Sequence, residues 1–212
     1  MSALLQLQQL LQSIHGVQSF SPVTDFLVRN CPKGKSDEAL LVSEHGEELH
    51  VGLYLDDTVL AQLSRAASDP WTHERLSGFC AAAEGVSHFL YLVHRAGQGG
   101  QVSQLELEAQ GELDKYLAVL LQLWATGRRA ASPRLRHQLF ERWQLKPDLT
   151  ADQRDRYRLA SALAAACAKA LEARYVLEGR LDALLREVRR LYRMSGGEKF
   201  SALAQGAVAW AA

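Results

Sequence analysis

A mainly α fold with one small β-hairpin, an antiparallel helical hairpin and a long heptad-patterned C-terminal helix is predicted by three stretches of the chain. Residues 79–95, FCAAAEGVSHFLYLVHR, place Phe79, Ala82, Ala83, Val86, Phe89, Leu90, Leu92 and Val93 over more than half of a helical wheel, the pattern of a central, buried helix. Residues 49–55 instead alternate Leu49, Val51, Leu53 and Leu55 against His50, Gly52 and Tyr54, the period of a half-buried strand. From residue 150 to about 194, positions 160, 163, 167, 170, 174, 177, 181, 184, 188 and 191 form a heptad seam in which Arg174 is the one intruder.

Composition bounds the function classes. With 212 residues, 48% of them apolar and 23% charged, the chain can bury a self-sufficient core and is neither disordered nor fibrous in type. Lys and Arg together number 24, as do Asp and Glu, so no long-range field draws it to nucleic acid or to an anionic membrane. Cys31, Cys80 and Cys167 lack CxxC spacing, and the first residues lack the basic start and apolar core of a signal peptide. A cytoplasmic location is therefore expected. Apolar runs break well before about 18 positions, so no membrane span is expected.

Taken in order, residues 3–14 repeat Leu and Gln as a short amphipathic helix that ends near Gly16. A connection rich in Ser, Pro, Asn and Gly follows, with an extended piece near 26–28. The β-hairpin pairs 39–42 with 49–55 around a turn at 44–47, and its second edge calls for the segment near Phe26 or a partner strand. Asp56 and Asp57 stand at the N-cap of a short helix carrying Val59, Leu60 and Leu63. Asp69, Pro70 and Trp71 restart the chain into the central helix, and the glycines after Ala96 turn it into an antiparallel arm over 102–126. Ser132 and Pro133 cap a shorter helix that Lys146 and Pro147 end, and Thr150 to Gln153 cap the long one. As one uninterrupted element the latter would exceed 60 Å, at about 1.5 Å per residue. Residues 1–127 are read as an N-terminal α+β unit and 128–212 as a C-terminal helical region.

Three constellations could carry chemistry. On the central helix Glu84, His88, Tyr91 and Arg95 make one narrow polar stripe, read first as a solvated edge with a local ion pair and second as a structural buried polar network. Glu84 and His88, four residues apart, can also present an oxygen and a nitrogen to one metal ion, with Glu106, Glu108 or Glu112 of the next helix completing the set. The second is MSGGEKFSALA at 194–204, which resembles the signature segment of ABC-type ATPases of the SMC kind, where a helix N-terminus meets a nucleotide phosphate. The chain has no GxxxxGK[ST] loop, so the stretch is read as a Gly-Gly helix break followed by a short helix. The third is the basic face of Arg186, Arg189, Arg190 and Arg193 with Tyr192, a candidate nucleic-acid patch that acidic neighbours such as Asp182 and Glu187 make unfavourable.

Cys80 and Cys167 lie in apolar surroundings, and Cys31 is expected in a loop. No hydrolase, metalloprotease or dinucleotide motif occurs, and no cofactor is implied. The leading expectation is a cytoplasmic helical adaptor or regulatory protein that acts through protein association, as a homodimer joined at Leu177, Leu181, Leu184, Val188 and Leu191. The alternatives are a metal-binding protein or acid/base enzyme at Glu84 and His88, and nucleic-acid binding through the arginine face.

Overall fold

The structure, a computed structural model, describes residues 2–18, 21–30, 36–46, 48–65, 71–142 and 149–208. It is mostly helical with a small three-stranded sheet, and divides into two compact units. Residues 1–13 and 17–100 form the first, residues 14–16 and 101–212 the second. This division falls before the helix at 104–125, whereas the sequence reading placed that helix in the N-terminal region.

In the first unit, α1 (Ala3–His15) ends where Gly16 takes φ of 62°, a left-handed conformation that glycine adopts without strain. Gln8 of α1 fastens the following segment, donating to the Ser21 carbonyl at 3.0 Å and accepting from the Val23 N–H at 2.9 Å. A 3-10 turn at Val23–Phe26 leads into β1 (Leu27–Val28), and Phe26 packs on Phe89. Strands β2 (Glu38–His45) and β3 (Glu48–Leu55) pair antiparallel, and β1 pairs parallel with β3, giving the order β1-β3-β2. The segment near Phe26 therefore covers the second edge of the hairpin, and β3 becomes the central strand.

Helix α2 (Asp57–Leu63) starts at Asp56, whose carboxylate accepts from the Thr58 N–H. Helix α3 (His73–Ala96) starts at Thr72, which caps Arg75; Asp69 and Pro70, the expected restart, lie outside the described residues. Thirteen residues of α3 are buried, and α2, β2 and β3 all pack against it. Two interior glycines permit this. A Cβ at Gly78 would lie 2.6 Å from Gln62 Cβ, and one at Gly85 would lie 3.0 Å from Leu53 Cδ1. Each costs the helix about 1 kcal/mol relative to alanine, a cost that close packing offsets. By length and average hydropathy α3 could cross a bilayer, contrary to the reading from uninterrupted runs. However, 67% of that apolar window is buried in the fold, as in the core helix of a globular protein.

The second unit contains α4 (Gln104–Ala125), α5 (Ser132–Phe140), α6 (Ala151–Leu171), α7 (Leu181–Arg193) and α8 (Gly196–Val208). Helix α6 packs against α4 and α8, with Ala160, Ala164, Cys167, Ala168 and Ala170 buried, small side chains that let helices approach closely. The expected capping of α6 by Thr150 and Gln153 is present in both directions. Trp143, Lys146 and Pro147, expected at the end of α5, lie outside the described residues.

The single long C-terminal helix is not formed. A π-helical turn at Glu172–Val176 follows α6, and the chain then breaks at Gly179, φ 70°, where the Arg180 N–H reaches back to the Tyr175 carbonyl at 2.8 Å. An extra residue in a turn rotates the following side chains by about 100°, so the heptad phase is lost where Arg174 interrupts it. Arg174 and Leu177 are exposed, while Glu172 and Val176 turn inward. After the break Leu184, Val188 and Leu191 are buried again, interior residues rather than a free dimerising face, and Leu181 is half-buried.

Leu184→Ala should therefore lower the unfolding free energy by about 2–5 kcal/mol in urea titration, as a core truncation does. Gly179→Ala should cost about 1 kcal/mol through its left-handed backbone.

Candidate functional site

The polar stripe of α3 is not a solvated edge. His88 and Tyr91 are buried, and Glu84 and Arg95 are half-buried. With two members buried and two half-buried, the stripe is a polar seam in a packed element. The ligand atoms of Glu84 and His88 lie within 4.8 Å of each other, as their four-residue spacing requires.

A further carboxylate near His88 comes from β2, which the sequence did not single out. Glu38 opens that strand, its register partner is Leu55, and its Oε2 lies 3.9 Å from His88 Nδ1. The two side chains are 20% and 8% exposed. That separation is too long for a hydrogen bond. It is near the roughly 3.4 Å that separates two ligands held about 2.1 Å from one tetrahedral ion. His88 thus has one carboxylate four residues before it on its own helix and a second, from the sheet, near its Nδ1.

The Arg95 guanidinium lies against the chain at Gly100, where a Cβ would come within 2.8 Å of Nη2. Glu106 and Glu112, proposed as further ligands, have other partners in the second unit. Glu106 completes a capping box with Ser103 and accepts from the Gly196 N–H at 2.9 Å. Glu112 accepts from Lys115 Nζ at 2.7 Å. The Ser103-to-Glu106 spacing is a helix-start signature that was readable in the sequence and went unused.

The second unit carries a closed ring of buried polar side chains. Lys199, fully buried on α8, donates to Gln110 Oε1 at 2.7 Å, and Gln110 Nε2 donates to Asp114 Oδ1 at 2.9 Å. His15 Nε2 meets the same carboxylate oxygen at 2.9 Å. The His15 ring stacks on Tyr192 with centroids 3.9 Å apart, and the Lys199 ammonium lies 5.7 Å from the Tyr192 ring centre. Glu106, Gln110 and Asp114 stand four residues apart along α4, so a polar stripe within an apolar helix was the signal that could have found them. A second chain runs from Tyr116 through Ser132 to Glu172, at 2.7 and 2.6 Å, with Arg136 on the far carboxylate oxygen. Ser132 thus binds Glu172 rather than capping α5. Burial holds the Tyr116 hydroxyl well above the usual phenol range.

The arginine face is largely engaged within the chain. Arg189 donates to the Ile14 carbonyl at 3.2 Å, Arg193 to the Arg189 carbonyl at 2.9 Å, and Arg190 grips Glu187 through two nitrogens at 3.0 and 2.7 Å. Met194 ends α7 and α8 begins at Gly196, as the Gly-Gly break implies. Cys80 and Cys167 are buried free thiols, and burial pushes the Cys167 thiol up to about 12; Cys31 lies outside the described residues.

Burial alone would raise the Glu106 carboxyl, but the N–H groups of Ser103 and Gly196, the Ser103 hydroxyl and the Lys199 charge outweigh it and hold the group below its ordinary value of 4.5. A depressed carboxyl stabilises the fold above its unfolded value and loses that contribution as pH falls through the folded one. Glu106→Gln should therefore flatten the decline in stability below about pH 4.5, read by urea unfolding across a pH series, and leave a smaller stability at neutral pH.

No known family, characterised protein or solved structure matches this chain.

Proposed function

We propose that the chain binds a divalent metal ion through Glu38, Glu84 and His88. The observation that supports this is the 3.9 Å approach of a strand carboxylate to a buried imidazole that already shares a helix face with Glu84. Nitrogen with carboxylate oxygen suits Zn²⁺, Fe²⁺ or Mn²⁺ better than Ca²⁺, which takes oxygen alone, or Cu⁺, which prefers sulfur. Three protein ligands leave a coordination position for water or substrate, and an ion so placed acts as a Lewis acid or lowers the pKa of its water. These residues would then have clear roles: His88 and Glu84 set the site on a rigid helix, and Glu38 closes it from the sheet.

The test is calorimetric titration of metal-depleted protein with Zn²⁺ and Mn²⁺. Saturable binding of one ion per chain is expected, weakened by at least about tenfold in Glu38→Gln and abolished in the double variant Glu84→Gln with His88→Gln. Absence of saturable binding at about 1 mM ion would falsify the reading.

Association with a protein partner is the second reading, and a cytoplasmic setting goes with it. Two large apolar side chains of the second unit favour it, Leu159 on α6 and Leu177 in the turn before α7, 48% and 51% exposed. If self-association uses them, Leu159→Asp with Leu177→Asp lowers the sedimentation mass at high concentration and keeps the helical signal; a wild-type mass of one chain at all concentrations removes self-association.

A further inference from the structure

We propose that Gly85 is a positioning residue for this metal site, setting the distance between the ligands on α3 and the ligand on the sheet; the inference rests on the metal reading above. Gly85 follows Glu84 directly and precedes His88 by three residues, so it sits between the two helical ligands. A Cβ there would lie 3.0 Å from Leu53 Cδ1, 3.2 Å from Leu55 Cδ2 and 3.5 Å from Glu38 Oε2. The first two distances are tighter than most packed carbon contacts, so the neighbours must give by a few tenths of an ångström, and both leucines are buried, so neither can swing aside into solvent.

That small give is taken up through the strand that carries both leucines. Glu38 is the register partner of Leu55, and the two strands are joined along their whole length, so a shift of β3 carries Glu38 with it. Metal–ligand distances tolerate only about 0.2 Å. A single methyl group at residue 85 therefore opens the gap between Glu38 and His88 although it touches neither ion nor imidazole. Glycine is otherwise a poor choice inside a helix, and its use here follows from the closeness of the sheet.

Gly85→Ala is expected to weaken Zn²⁺ binding about tenfold in the same titration, the scale at which misplaced supporting residues act. Leu53→Val and Leu55→Val added to Gly85→Ala delete the two Cδ contacts and should restore affinity. Gly78→Ala is the control: its Cβ would meet Gln62 and not the site, so melting shifts while affinity holds. If the wild type fails to bind zinc, the metal reading falls and this inference with it. If the wild type binds and Gly85→Ala binds equally, positioning is overturned while the site stands. If Gly85→Ala does not fold, the triple variant decides: native affinity supports the proposal, and a folded triple variant with weakened affinity overturns it.

Discussion

The first unit depends on how closely α3 can approach what covers it. Its apolar circumference is too wide for one neighbour, so α2 takes one side and the sheet another, and a glycine stands at each closest contact, Gly78 against Gln62 and Gly85 against Leu53. Side chains at those positions would hold the layers apart and leave gaps that lose dispersion contacts outright. The same closeness brings Glu38 of β2 to His88, because the strands move as one sheet. Packing and side-chain placement are thus one constraint: the approach that fills the core also brings Glu38 within 3.9 Å of His88.

The second unit solves a different problem, that of interior charge. Lys199 on α8 is fully buried, and a buried ammonium needs hydrogen bonds and a nearby negative charge. Gln110 supplies the acceptor and hands its own N–H to Asp114, which is also met by His15. The orientation of the Gln110 amide follows from this, since only the carbonyl can face an ammonium and only the NH₂ a carboxylate. Tyr192 closes the ring by stacking on His15 and lying beneath the ammonium. Such a ring tolerates few alternative packings, because moving any helix by an ångström leaves two polar groups unsatisfied.

Periodicity made the elements legible and failed at their ends. The 3.6 period of α3, the alternation of β3 and the capping pairs at Asp56 and Thr150 are local, and the structure repeats them. The long C-terminal helix is predicted and not formed because a heptad pattern counts apolar positions and ignores the backbone: Gly179, φ 70°, takes the left-handed conformation that ends a helix. The candidate site was half legible. Glu84 and His88 are linked by helical spacing, but Glu38 reaches them across nearly fifty residues of chain, through a strand register that no local pattern encodes. The buried ring was hidden for the same reason, since His15 and Asp114 are 99 positions apart.

The signature-like segment shows how geometry separates resemblance from function. A phosphate site at a helix start needs unsatisfied N–H groups and a positive local field. Helix α8 has the glycines and the dipole, but its first N–H donates to Glu106, a carboxylate already held ionised by its partners. The anion at this helix start is therefore the chain's own side chain. A phosphate would have to approach that negative charge and displace it, and the Lys199 ammonium that follows one turn later is directed inward to Gln110. The same residues that resemble a nucleotide contact are used here to dock α8 on α4, and Glu106, read from sequence as a metal ligand, is the group that fixes that use.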